Sequence, residues 1–338
     1  MSVTGYVFHP SYLDHDTGAG HPEIAARLEA VMSRLKSDGL LERLVPVEAR
    51  RAAEAELAAV HSRGYISRVR EICAAGGGWL DADTPVSKKS CEAAEYAAGG
   101  AVAAVEAVMG GGEGISSCFA LVRPPGHHAF TGAGGGFCLY NNIAIAARYA
   151  QSRYGLRRLA IIDFDVHFGN GTAAVFQDDP DVLFISTHQF PHYPGGGDVD
   201  DTGSGSRISI PLPEGCGDDE YLSIFDDIIL PAVRRFRPEL LLVSAGFDAH
   251  RDDPLAGMKV STEGYSGIAG RIKRLAEEIC GGRMVFCLEG GYNLEALAAS
   301  VAVTFRALLG GAPDLSPRPV PQRVAGLAAA LKQRNRLD

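Results

Sequence analysis

Short apolar runs recur along this chain, and each breaks off into a polar or glycine-rich turn; no other feature constrains the fold as much. The runs span 5–9, 117–122, 159–163, 182–187, 207–212, 240–245 and 284–288. Most are apolar on both faces, as strands are when helices cover both sides of a parallel sheet. Helical patterns fill the gaps. Residues 22–35 carry Ile24, Leu28, Val31 and Leu35 on one face. Residues 91–108 are alanine-rich and read as a buried helix, and 143–154, 218–235 and 262–280 complete the alternation. Strand and helix in turn predict a single doubly wound, mostly parallel α/β sheet with helices on both faces. Such sheets build their sites in the crevice beyond the C-terminal strand ends, so the residues just past each run matter most.

After 159–162 comes Asp163-Phe164-Asp165-Val166-His167-Phe168-Gly169-Asn170-Gly171. On an extended backbone alternate side chains share a side, so Asp165 and His167 can reach one cation, with Asp163 a pleat deeper. Asp248, in Ser244-Ala245-Gly246-Phe247-Asp248 after 240–243, is the third candidate ligand. Two carboxylates and an imidazole suffice for a catalytic zinc site that keeps an open position. Taken alone, the same residues would serve equally as helix caps or turn fillers. Arg123-Pro124-Pro125-Gly126-His127-His128-Ala129 sets two imidazoles side by side; histidine is the natural general base near neutral pH, against the alternative of an ordinary surface loop. Leu288-Glu289-Gly290-Gly291-Tyr292 offers a phenolic donor for an oxyanion, or simply a turn before a core tyrosine. As a set, a base pair, three ligands and an oxyanion donor are the equipment of a metal-assisted amide hydrolase.

These residues sit in blocks that succeed one another from 21 to 293: HPEIAAR (21–27), RPPGHHA (123–129), GGGFCLYNN (134–142), DFDVHFGNGT (163–172), FISTHQ (184–189), YPGGGD (193–198), SAGFDAHRDDPLAG (244–257) and LEGGYN (288–293). The chain thereby resembles the zinc-dependent histone deacetylase family of the arginase/deacetylase fold, nearest its class II-like amidohydrolases. The resemblance implies about eight strands, with the site in loops at their C-terminal ends. It implies Zn²⁺ on Asp165, His167 and Asp248, and because two carboxylates harden such a site, Fe²⁺ could substitute in a cell. It casts His128 as general base leaning on Asn170, His127 as its partner leaning on Asp163, and Tyr292 as the oxyanion donor. The neutral Asn170 should leave His128 less basic than an aspartate partner would. The resemblance also implies a substrate channel on Gly136, Phe137, Tyr193 and Pro194, with Leu255 at the rim. It implies structural K⁺ ions as well, one on Asp163, Ser186 and Thr187 with Asp165 and His167, another on Phe176, Asp179 and Val182. Two positions depart from the pattern: Phe168 stands where many relatives have histidine, and Gly195-Gly196-Gly197 replaces Gly-Thr-Gly, expected only to loosen that loop.

At 338 residues and 46% hydrophobic, with no linker-like stretch, the chain is expected to form one deacetylase domain over 1–338. Residues 310–338, with Pro313, Pro317, Pro319 and Pro321, read as a surface-packed extension ending in a helix at 324–333. A net charge of −9 argues against nucleic acid. Seven cysteines, an odd number with no CxxC, suit a reducing, cytoplasmic setting. No basic-then-apolar leader opens the chain, and no run reaches the ~18 apolar residues of a membrane span. The substrate expected is an acylated lysine in a peptide or protein, or a small acyl amide; a homo-oligomer stays open. The nearest rival is an acetylpolyamine amidohydrolase, against which Leu255 speaks, since polyamine-selective relatives place an acidic residue there. A di-manganese ureohydrolase lacks its D-x-D-x-x-D pattern here, and a catalytically silent acyl-lysine reader would not keep both histidines and Tyr292.

Overall fold

In the computed structural model, which describes residues 3–110, 114–311, 313 and 315–337, every one of the apolar runs overlaps a strand, those expected at 5–9 and 117–122 lying two residues earlier than their runs. The strands are β1 (Val3–Val7), β2 (Val45–Val47), β3 (Gly77–Trp79), β4 (Pro85–Ser87), β5 (Ile115–Ala120), β6 (Leu159–Asp163), β7 (Val182–Gln189), β8 (Arg207–Leu212), β9 (Leu240–Ala245) and β10 (Met284–Leu288). Eight make one sheet in the order β2-β1-β5-β10-β9-β6-β7-β8. Every pairing in it is parallel. The strand order runs outward in both directions from the β9/β10/β6 centre, which is the doubly wound arrangement.

The central strands β6, β9 and β10 are buried at every residue, the consequence of helices on both faces. The helices Ala26–Ser37, Ser90–Gly110, Asn142–Tyr154, Thr262–Cys280 and Leu294–Leu308 supply that cover. The expected helix at 218–235 is present with an interruption: Asp218–Ile224 and Leu230–Phe236 flank a π-helical turn at Phe225–Ile229. Pro231 lacks the amide hydrogen a regular ladder needs there. The helix expected at 324–333 extends over Gln322–Asn335, seated through Val324, Ala328 and Leu331 and through Lys332 Nζ on Asp227 Oδ2 at 2.6 Å. Residues 312, 314 and 338 of that segment lie outside the described residues.

Three features carry no strong pattern in the sequence. Strand β2 is three residues long with Pro46 exposed at its centre, tolerable only because it is the sheet edge. The antiparallel β3–β4 hairpin stands apart from the main sheet. The helix Arg63–Ala74, capped by the Ser62 side chain on Tyr65 N, packs behind that hairpin.

Candidate active site

The segment after β6 departs from the extended geometry expected of it. The strand ends at Asp163, and residues 165–167 lie in a bend. What aligns the side chains is a pair of successive Asx-type turns: Asp163 Oδ1 accepts from Asp165 N at 3.1 Å, and Asp165 Oδ1 from His167 N at 2.9 Å. Asp165 and His167 still converge, but through carboxylates holding backbone amides rather than through pleat parity.

Asp165, His167 and Asp248 are all buried, with ligand-type atoms within 4.8 Å of one another. His167 Nδ1 lies 3.0 Å from Asp165 Oδ1 and 3.2 Å from Asp248 Oδ2. Asp248 is placed by Val166 N on its Oδ1 at 2.8 Å, while its Oδ2 has no hydrogen-bond partner. A buried carboxylate oxygen left unbonded beside a second carboxylate and an imidazole fits a bound divalent cation. Without one, burial works against charge on His167, and the two carboxylates outweigh it and push the imidazole up to about 10. The Gly290 amide donates to Asp165 Oδ2 at 2.8 Å, and a Cβ at 290 would stand 2.0 Å from Asp248 Oδ2. Glycine is required there because the backbone itself closes over the ligand set.

The tandem histidines are buried beside this triad. His127 Nδ1 meets Asp163 Oδ2 at 3.0 Å and its Nε2 lies 3.8 Å from Asp165 Oδ1. Burial opposes its charge, but Asp165 and Asp163 prevail and push it up to about 10. His128 Nδ1 meets Asn170 Oδ1 at 2.8 Å, and Gly171 N donates to that same oxygen at 3.0 Å. An atom that accepts from an amide is the carboxamide oxygen, so His128 carries its proton on Nδ1 and leaves Nε2 as the basic nitrogen. Burial and the neighbouring His127 and His167 hold His128 well below the usual imidazole range. The two imidazoles are thus pushed in opposite directions, with their ring centroids 4.0 Å apart.

A cavity of ≈ 200 Å³ leads down to these groups, lined by Asp83, His128, Gly136, Phe137, His167, His192, Tyr193, Leu255 and Tyr292. Of the expected channel residues, Gly136, Phe137, Tyr193 and Leu255 line it; Pro194, next in the chain, does not. Phe137 takes a left-handed φ of 68° and its ring meets Tyr292 edge-on at 5.7 Å, a strained backbone of the sort found where a side chain must face a ligand. Tyr292 is steadied by Arg27, whose guanidinium lies 4.9 Å over its ring, and by its amide on Asp253 Oδ2 at 2.6 Å. Burial raises the phenol's pKa well above its ordinary value, so it is a donor. Asp83 and His192 line the same wall without any signal in the sequence; Asp83 arrives on the β3–β4 turn, and His192 stacks on His167 at 5.2 Å. Arg27 and Glu23 lie in the HPEIAAR block, and only the fold shows that they share a buried ion pair at 3.0 Å.

Phe168 is buried against Phe184 and His188. At Gly196, the position that departs from Gly-Thr-Gly, φ is 76° and a Cβ would stand an ordinary 3.8 Å from the Phe168 ring, whereas at Gly197 a Cβ would come within 2.7 Å of that ring and 2.6 Å of His188 Nε2. Beneath the site, Ser186 pairs in register with Asp163, and Thr187 Oγ1 reaches Asp163 O at 3.5 Å. Phe176, Asp179 and Val182 sit together in a turn closed by Asp179 N on Phe176 O at 3.2 Å and Val182 N on Asp179 O at 3.3 Å.

A parallel sheet of eight strands with this triad, histidine pair and tyrosine at its strand ends defines an amidohydrolase of the arginase/deacetylase fold. The histone deacetylase domain family matches residues 21–308. The chain is 43% identical over 309 residues to histone deacetylase 14, chloroplastic, of Arabidopsis thaliana, covering 86% of this chain and 73% of that one. It is 39% identical over 298 residues to the histone deacetylase-like amidohydrolase of Pseudomonas aeruginosa, covering 87% and 76%. It is 40% identical over 308 residues to the polyamine deacetylase HDAC10 of Homo sapiens, covering 86% of this chain and 45% of that one. The crystal structure of the HDA15 HD domain superposes with a TM-score of 0.91 at 34% identity, covering 99% of this chain and 94% of that one. The chain belongs to the histone deacetylase family.

Proposed function

We propose that this protein removes acetyl or other acyl groups from lysine side chains, using Zn²⁺ held by Asp165, His167 and Asp248. The observation that carries this reading is the convergence of that triad, the tandem histidines and Tyr292 at the foot of one narrow cavity. A zinc ion there supplies Lewis acidity, lowering the pKa of water toward ~7 and polarising the acyl carbonyl. His128 Nε2, unprotonated and buried, takes the proton of the attacking water, and Asn170 holds the ring in that tautomer. His127, tied to Asp163, stabilises charge beside it and helps return a proton to the departing amine; adjacent imidazoles share protons as a pair. The Tyr292 hydroxyl donates to the developing oxyanion. Phe137 and Tyr193 sheath the methylenes of the lysine stem, with Leu255 at the mouth. Structural K⁺ under Asp163, Ser186 and Thr187, and a second near Phe176, Asp179 and Val182, belong to the same proposal, as does a cytoplasmic setting, which suits seven free cysteines that are all buried.

One observation favours a second substrate. Asp83 brings a carboxylate to the cavity wall, which would suit a cationic acetylpolyamine, whereas Leu255 offers an apolar rim. Steady-state hydrolysis of an acetyl-lysine peptide against N-acetylputrescine and N-acetylspermidine decides between them. Faster turnover of the peptide supports the proposal; preference for the polyamines keeps the chemistry and overturns the substrate.

A further inference from the structure

Glu289 belongs to the segment that carries Tyr292, yet the proposed chemistry gives it no task. It is fully buried beside the histidine turn. Its Oε2 accepts from Gly126 N at 2.7 Å and from His127 N at 3.2 Å, and its Oε1 from the Ser244 hydroxyl at 3.0 Å. Three donors converge on it, an environment suited to an acceptor-only carboxylate. Its backbone is equally held: the amide donates to Ala245 O at 3.0 Å, and the carbonyl accepts from Arg27 Nη2 at 2.6 Å.

The next three residues each hold another part of the site. Gly290 N donates to Asp165 Oδ2 at 2.8 Å, Gly291 O accepts from Arg27 Nε at 2.6 Å, and Tyr292 supplies the phenol. Other bonds tie the turn 123–129 to its helical neighbours, among them Thr172 N on His127 O at 3.0 Å and Asn142 Nδ2 on Pro124 O at 3.0 Å. Among the described residues, Glu289 alone ties that turn to the segment after β10 by hydrogen bonds.

We propose that Glu289 is a positioning residue whose carboxylate locks the His127–His128 backbone to the strap bearing the Asp165 contact and Tyr292, so that base, ligand set and phenol keep one register. This deepens the proposed function and rests on it. Displacing a base by an ångström can cost about 10² in rate while leaving the substrate pocket intact.

The test compares metal-loaded wild type, E289A and E289Q in three readouts: kcat and KM on an acetyl-lysine peptide, metal and hydroxamate sites per chain, and amide hydrogen exchange across 123–129. In E289A, kcat should fall about 30- to 100-fold with KM, metal and hydroxamate sites held within about twofold, and exchange at Gly126 and His127 should quicken by about tenfold or more. In E289Q the amide oxygen can accept from both N–H groups while its NH₂ faces Ser244 Oγ, so protection should return and kcat should recover to within about fivefold of wild type. Unchanged exchange and kcat in E289A overturn the proposal, as does a loss of kcat matched by lost metal or hydroxamate sites. Should E289A not fold, E289D takes its place: the shorter carboxylate should withdraw from the turn and show the same loss, and wild-type exchange and kcat there would overturn the proposal. A wild-type enzyme that binds metal but leaves the peptide intact would contradict the function instead, and the exchange readout would still decide the role of Glu289.

Discussion

The floor of the site and its mouth are built differently. On the floor, Asp163, Asp165, His167, Asp248 and both histidines are buried, and each is held by a bond to another member of the set or to backbone. At the mouth, Tyr193 is 43% exposed and Phe137 and Leu255 are half-buried. These two are anchored through their backbones, Phe137 N on Thr84 Oγ1 and Leu255 N on Asp253 Oδ1, which leaves their side chains free of polar ties. A floor of interlocked buried polar groups tolerates little change, because removing one partner leaves another unsatisfied in a dry interior. A mouth of half-buried or exposed side chains without polar ties can change at smaller cost in stability. The chemistry should therefore be shared across the family while the substrate varies, consistent with relatives whose names include both histone and polyamine deacetylases.

The floor should break first and hardest. Asp248→Asn should abolish metal retention and lower kcat/KM by about 10³ or more; retained zinc with near-normal turnover would refute the triad. Tyr292→Phe should cost about 10²–10³ in kcat with metal content unchanged, measured by steady-state kinetics beside elemental analysis. Gly290→Ala, whose Cβ would meet Asp248 Oδ2 at 2.0 Å, should weaken metal affinity about 10- to 100-fold, read by competition with a chelator.

At the mouth, effects should be smaller and change preference rather than rate. Leu255→Glu should shift kcat/KM toward acetylspermidine over the peptide by about tenfold, or ~1.4 kcal/mol, and Asp83→Asn should move it the other way by less. The smallest expected effect concerns the scaffold behind the mouth. His61 accepts from Asn141 N at Nε2, 2.9 Å, and donates from Nδ1 to Phe130 O, 2.9 Å. Burial lowers it to about 4, with the Phe130 carbonyl opposing. Because the unfolded chain then binds the proton more readily, stability should be full above pH ~6.5 and should fall as pH drops from there toward about 4, at up to about 1.4 kcal/mol per pH unit. His61→Gln should flatten that slope in pH-dependent unfolding; an unchanged slope would reject the assignment.

The same division separates what is legible in the sequence from what is not. Strand interiors such as 159–163 and 284–288 announce themselves because both faces are apolar, and the ligands and histidines stand directly beyond them. Asp83 and His192 are illegible because a short hairpin and a loop deliver them, and no periodicity says where such segments lie. Arg27 stands in a recognisable block without a legible role, since it acts on carbonyls more than 260 residues away along the chain. The extended parity expected of Asp165 and His167 reaches the right convergence through the wrong backbone, because a carboxylate that captures an amide two residues on bends the chain.

The central claim is that a metal ion held by Asp165, His167 and Asp248 does the hydrolysis. The most direct measurement is steady-state hydrolysis of an acetyl-lysine peptide by the zinc-loaded protein, repeated after chelation and again after zinc is restored. Turnover that disappears with the metal and returns with it is the result predicted. Turnover that survives complete metal removal would contradict the account.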